Sequence, residues 1–333
     1  MPAPVLAADT VADYAAVRAG AGLIDRSHHG VVEVAGRDRA SFLHALLSNE
    51  IKALGPGQGC AATLLDVHGK VQVVLQAWIL DDRILLVTPP GLGVKVVEAL
   101  DGYLFSEKVE LRDLSGERAL FLLAGPQAPG LVERLAGATP PETAWSHVSA
   151  SLDGVEARLV RGGGETGEPE VWVAVAATDG ARAREALVAA GARPVGPAAL
   201  EALRIEAGTP RFGADVDPTV LLPEIPFESL LSYTKGCYPG QELVVRVRDR
   251  GHVNRRLVGL VLEGEAVPAP GAEIVAEGTA VGHVTSATFS PGLRRPIALG
   301  FVRRQHIEPG TPLGVRIGAE TVGATVSALP FTR

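Results

Sequence analysis

Residues 31–48, Val31-Val32-Glu33-Val34-Ala35-Gly36-Arg37-Asp38-Arg39-Ala40-Ser41-Phe42-Leu43-His44-Ala45-Leu46-Leu47-Ser48, decide the fold class. The first five are mostly β-branched and read as a strand, Gly36-Arg37-Asp38 as a turn, and residues 39–48 as a helix with Phe42, Leu43 and Leu46 on one face. The same order returns at 120–136: a strand over 120–124, a turn at Gly125-Pro126, then a helix with Leu131, Val132 and Leu135 in the matching places. Two more strand–helix units follow the pattern, 84–88 leading to 94–104 and 171–177 leading to 179–190. Further strands are expected at 60–65, 70–80 and 155–160. Strand–helix–strand–strand–helix–strand, occurring twice, predicts an α+β chain of two interleaved ferredoxin-like units.

Past residue 257 the helical period disappears. Short apolar runs alternate with Gly and Pro turns, the pattern of a small β-barrel. The expected division is therefore 1–256 for the two α+β units and 257–333 for the barrel. A chain of 333 residues is long enough for two or three cores.

Composition excludes several classes. A net charge of −7 argues against general nucleic-acid binding. Two cysteines, Cys60 and Cys237, cannot build a disulfide framework and are too few for a protein-only zinc or iron–sulfur site, so no metal site is expected. Residues 1–14 lack a basic, apolar leader, and no apolar run is long enough to span a bilayer. These features point to a cytoplasmic protein with no membrane partner. The excess of arginine over lysine fits a high-GC bacterial genome.

Chemistry concentrates in Lys235-Gly236-Cys237-Tyr238-Pro239-Gly240-Gln241-Glu242. The glycines and proline make a tight loop. The following Val244-Val245-Arg246-Val247-Arg248 alternates and reads as a strand. Lys235, Arg246, Arg248, Arg250, Arg255 and Arg256 surround Cys237 in sequence, a setting that favours thiolate formation. A buried cysteine beside a solvated cationic strand is the equally simple alternative. Glu206 is the second candidate. It falls in the last turn of a helix running from Pro197 to the terminator Gly208, where the dipole disfavours negative charge. It pairs either with Arg204 or Arg211, or with the N–H donors of a ligand. The run Gly162-Gly163-Gly164-Glu165-Thr166-Gly167 has neither the lysine-serine pair nor the following helix of a phosphate loop, and is expected to be a flexible hairpin connection. Trp78 on an apolar strand reads as core more readily than as a ring-stacking residue.

Arg204-Ile205-Glu206-Ala207-Gly208-Thr209-Pro210-Arg211-Phe212-Gly213, Leu222-Pro223-Glu224 and the Lys-Gly-Cys-Tyr-x-Gly-Gln-Glu segment together resemble the YgfZ family. These are folate-binding relatives of the glycine-cleavage T-protein (aminomethyltransferase). Leu23-Ile24-Asp25-Arg26-Ser27 and residues 282–291 are similar to the wider superfamily. The resemblance implies two α+β units and a C-terminal barrel in a ring around a tetrahydrofolate, or a one-carbon derivative of it. It implies Glu206 as the carboxylate holding the pterin. Lys235 and Tyr238 are expected beside the folate, and Arg246 and Arg248 suit the carboxylates of its glutamyl tail. It further implies iron–sulfur client or assembly proteins as partners, a tRNA-modifying enzyme among them. One departure bears on activity: T-proteins carry an acidic pair where this chain has Val73-Val74. Without those acids, methylene transfer by the T-protein route loses its proton-handling group. The leading expectation is thus a folate-binding accessory factor for iron–sulfur proteins with Cys237 as its reactive group. The alternative is a folate-dependent one-carbon transferase or demethylase, with Asp66 and His68 as candidate acid and base. A cysteine hydrolase pairing Cys237 with His252 is the third and weakest reading.

Overall fold

A computed structural model describes residues 7–331; residues 1–6, part of the stretch read for a leader, lie outside it. The chain runs α1 (Ala8–Ala19), β1 (Gly22–Asp25), β2 (His29–Ala35), α2 (Arg39–Leu46), β3 (Gly59–Leu65), β4 (Val71–Ile79), β5 (Arg83–Pro90), α3 (Gly93–Asp101) and β6 (Glu110–Asp113). It continues through β7 (Arg118–Ala124), α4 (Ala128–Ala136), β8 (His147–Leu152), β9 (Val155–Arg161), β10 (Glu170–Ala176), α5 (Gly180–Ala189), β11 (Arg193–Pro194) and α6 (Pro197–Glu206). After α7 (Gln241–Arg250) come β12 (Arg255–Leu262), β13 (Glu273–Ala276), β14 (Thr279–Ser290), β15 (Arg295–Arg303), β16 (Pro312–Ile317) and β17 (Glu320–Ser327).

Two sheets and a barrel result. The first sheet is ordered β3-β4-β5-β2-β6 and the second β11-β1-β7-β10-β9-β8. Because β1 precedes the whole first sheet yet pairs with β7 and β11 of the second, the two α+β units are interleaved. Strands β12 to β17 close into a six-stranded barrel.

Burial explains the layers. Helices α2 and α3 cover one face of the first sheet through Phe42, Leu43, Leu46, Val96 and Leu100, as the helix-face spacing of 31–48 requires. Helices α4 and α5 cover one face of the second through Leu131, Val132 and Leu187. The uncovered faces then turn on each other. Trp78, Leu85 and Val87 meet Leu120, Leu122 and Trp172, with α1 (Tyr14, Val17) and α6 (Ala202, Leu203) closing the layer. A further cluster joins Leu65, Val71, Ile205, Leu222, Tyr238 and Val244 to Ile297, Leu299 and Phe301 of the barrel.

Two local expectations need correcting. Residues 241–250 form the helix α7, not a strand. Gly240 sets its start in a left-handed conformation, φ +77°, where an added Cβ would lie 2.4 Å from the Asp66 carbonyl. Valine and arginine alternate there, but among the described side chains Val244 alone is fully buried, and Leu243, Val244 and Val247 also satisfy a helical period. The glycine run 162–167 does connect β9 to β10, yet it is held firmly. Glu170, itself buried, accepts hydrogen bonds from the Gly164 and Thr166 amides and the Thr166 hydroxyl.

One histidine ties the units together. The His147 amide donates to the Gly57 carbonyl at 2.7 Å, bridging β8 to the loop before β3. Arg158 Nη1 lies 2.9 Å from His147 Nδ1; a guanidinium only donates, so Nδ1 accepts and the ring is neutral. Burial, then the Arg158 charge, push its pKa down to about 4. A depressed histidine contributes stability that is present above pH 6.5 and lost as pH falls toward 4. His147→Gln is therefore expected to flatten the acid limb of a stability–pH curve across that window by up to about 3 kcal/mol. Urea midpoints at pH 7 and pH 4 check it, and an unchanged difference between the two refutes it.

Candidate functional site

Helix α6 carries the first element of the site. Pro197 opens it, Ala207 caps it and Gly208 follows at φ +72°. Its last turn is buried on every side: Leu203 packs between the sheets, while Ile205 packs toward the barrel. Arg204 bonds Asp215 at 2.7 Å and the Ser286 hydroxyl at 2.6 Å. Arg204 and Arg211, the partners expected for Glu206, both pair with Glu201 instead.

Glu206, 1% exposed, is bonded from three directions. Its Oε2 accepts the Tyr14 hydroxyl at 2.7 Å and Arg18 Nη2 at 2.6 Å. Its Oε1 accepts the Ser290 hydroxyl and, at 3.4 Å, the Gly292 amide. Arg18 reaches on to Glu168 and to the Thr166 carbonyl of the glycine loop. Burial and then the Glu206 hydrogen bond push the Tyr14 phenol pKa upward. A carboxylate offers about four acceptor positions, and these donors fill them. A pterin gripped by Glu206 would have to displace one of them. The arginine that answers the helix-end charge stands 188 residues away in sequence, so no local pattern could have shown it.

The cysteine loop forms a different environment. Cys237 is exposed and lines a cleft of about 590 Å³ with Tyr238, Gln241, Glu242, Val245, Arg246 and Asp249. Of the described basic side chains near it in sequence, Arg246 alone lines this cleft. Arg248 stacks over Tyr233, 4.7 Å from the ring centre, and pairs with Asp249. Arg255 pairs with Glu224, and the Arg250 side chain lies outside the described ones. Lys235 is buried: its Nζ donates to the His44 and Leu47 carbonyls at the end of α2 and sits 4.8 Å from the Tyr238 ring centre. It therefore caps a helix, and burial pushes its pKa down to about 8. Neither Glu206 nor His252 lines the cleft. Cys60 is partly buried and donates to the Glu50 carbonyl, and burial raises its thiol to about 12. Asp66 is committed to a turn, accepting the His68 and Lys70 amides at 2.9 Å.

Between these two places lies the inner face of β4. Its neighbours β3 and β5 flank it, and α2 and α3 cover its other face through Val73, Leu75 and Ala77. An interior strand so enclosed should be buried throughout, yet Gln72, Val74 and Gln76 are only half-buried. Val74 borders the barrel-side cluster and Trp78 the inter-sheet cluster, so the half-buried row Gln72, Val74 and Gln76 lies between the two. Of the two valines read against the acidic pair, Val73 lies in the helix-covered core and Val74 in this half-buried row.

Comparison with known proteins assigns the architecture. The GCVT N-terminal domain matches residues 4–235 and the glycine cleavage T-protein C-terminal barrel domain matches residues 255–332. The chain belongs to the glycine-cleavage T-protein family. An aminomethyltransferase of Synechococcus sp. (strain CC9311) is 31% identical over 99% of this chain and 92% of its own length. A chloroplastic protein of Arabidopsis thaliana that carries a transferase name is 31% identical over 94% of this chain and 71% of its own. The crystal structure of the glycine cleavage system aminomethyltransferase T from Bartonella henselae superposes with a TM-score of 0.88 at 25% identity, covering 97% of this chain and 89% of that one. Tetrahydrofolate is the ligand of this family. Among the described residues no helix is long and apolar enough to cross a membrane.

Removing the Glu206 carboxylate takes one of two carboxylate partners from Arg18 and leaves the buried Tyr14 hydroxyl without its acceptor. Glu206→Ala is expected to cost about 3–5 kcal/mol, and Tyr14→Phe, which deletes one hydroxyl, about 1 kcal/mol. Chemical denaturation of both variants measures this; equal, small losses would show that Glu206 joins nothing.

Proposed function

We propose that this protein binds tetrahydrofolate, or a one-carbon derivative of it, in the space along the inner face of β4, and that it acts as a folate-dependent one-carbon transferase of the aminomethyltransferase kind. The observation that carries the reading is the half-buried row Gln72, Val74, Gln76 on an otherwise enclosed strand, in a chain of the T-protein family. Relatives that match nearly the whole chain are named aminomethyltransferases, which supports the chemical class. The residues there suit a ring with polar edges: Val74 offers apolar contact, and Gln72 and Gln76 beside it carry side-chain amides. The bound folate would supply the one-carbon unit. The chain's own part is to hold the ring and exclude water around it.

One observation favours a second reading, a folate-binding accessory factor for iron–sulfur proteins. Valine replaces the acid at Val74 while Cys237 stays exposed at a cleft of its own. An apolar side chain moves no proton. One thiolate is too few to hold a cluster, so a partner protein or thiol would complete any cluster contact.

Calorimetric titration with tetrahydrofolate and its 5,10-methylene form, followed by assay for release of the one-carbon unit, separates the two. Binding with turnover is the expected result. Binding without turnover moves the assignment to the accessory factor, and no binding removes both. Cys237→Ala is expected to leave folate affinity within about twofold of wild type, because loss of an exposed thiol removes little contact area. Under the accessory reading the same variant fails to sustain iron–sulfur enzyme activity in complementation.

A further inference from the structure

Arg18 is shared among three acceptors. Its Nη1 donates to Glu168 at 2.7 Å and to the Thr166 carbonyl at 3.1 Å, and its Nη2 donates to Glu206 at 2.6 Å. The other donors on Glu206 are less free to leave. The Tyr14 and Ser290 hydroxyls give it their protons, and the Gly292 amide is fixed in the turn between β14 and β15. Leaving Glu206 would take from Arg18 one of three contacts and keep its charge paired with the partly exposed Glu168. Glu206 also ends the turn of α6 that borders the half-buried row of β4. Leu203 of that turn shares the inter-sheet cluster with Trp78, and Ile205 shares the barrel-side cluster with Val74.

We propose that Arg18 is a displaceable counter-ion, which yields its place on Glu206 to the cyclic guanidine edge of a reduced pterin and falls back on Glu168 and the glycine loop. The inference rests on the folate reading given above. The amino group and adjacent ring N–H of a pterin form two parallel donors, the pattern a guanidinium offers a carboxylate, without its charge. One donor takes the place of Arg18 Nη2 on Oε2. The other meets Oε1, where the Gly292 amide stands at 3.4 Å, beyond the usual hydrogen-bond length. The exchange breaks one charge-assisted hydrogen bond and forms two from uncharged donors, while Arg18 keeps a carboxylate partner. Ring binding and the glycine loop are thereby linked through one side chain.

Two variants of one ion pair carry the test, read by calorimetry at pH 8. Arg18→Met removes the competitor for Glu206, so its Kd for tetrahydrofolate is expected to fall about tenfold, the equivalent of one charge-assisted hydrogen bond. Glu168→Gln removes the fallback partner, so its Kd is expected to rise about fivefold. Both variants lower the thermal midpoint of the protein alone, because each takes a partner from the same network, so a loss of stability cannot produce opposite shifts in affinity. Binding of p-aminobenzoylglutamate, which lacks the pterin, is expected to stay unchanged in both. Weaker tetrahydrofolate binding in both variants makes Arg18 a fixed part of the wall and overturns the inference, leaving the folate reading standing. Unchanged affinity in both overturns it too. Should Arg18→Met not fold, Glu168→Gln decides alone, and a Kd at or below that of wild type refutes the exchange. Failure of the wild-type protein to bind tetrahydrofolate removes the reading and the inference together.

Discussion

The buried contact of Glu206 with Arg18, Tyr14 and Ser290 is the constraint on which the arrangement depends. It joins α6, α1, the glycine loop through Arg18, and the barrel through Ser290 at one point. Apolar clusters drive these units together, but burial is not directional, and two sheets can slide on a greasy interface. A carboxylate buried to 1% exposure tolerates only the geometry in which its donors are all present. The neighbouring Arg204, equally buried, imposes a second condition through Asp215 and Ser286. The net stabilisation of such pairs is modest because desolvation offsets attraction; what they supply is a single registered arrangement.

That arrangement separates what the chain order suggested was one place. The cysteine loop leaves α6 by way of Leu222, Pro223 and Glu224 and returns to cap α2 with Lys235, which turns Cys237 outward. The inner face of β4 stays between the sheets and the barrel. The half-buried row of β4 and the exposed Cys237 thus lie in an interior layer and at a surface cleft respectively. Val74 borders the apolar cluster that also contains Tyr238, so packing connects the two places where hydrogen bonding does not.

How much of this was legible in the chain depends on the range of the interaction. The strand–turn–helix of residues 31–48 and its echo at 120–136 were plain, because Phe42, Leu43 and Leu46 repeat as a helix face must. The barrel was equally plain in its turn spacing. Residues 241–250 misled because valine and arginine alternate there, and a segment with Val244 as the one fully buried residue among its described side chains carries too little amphipathic signal to distinguish periods of two and 3.6.

The sequence by itself determined the class of fold and membership of the T-protein superfamily, since local period, turn chemistry and motif spacing all act over a few residues. Only the tertiary structure decided what individual side chains touch. Glu206 meets Arg18 across 188 positions, and Lys235 ends on the carbonyls at the close of α2. Burial and hydrogen-bond satisfaction are properties of the packed chain, and no short stretch of residues contains them.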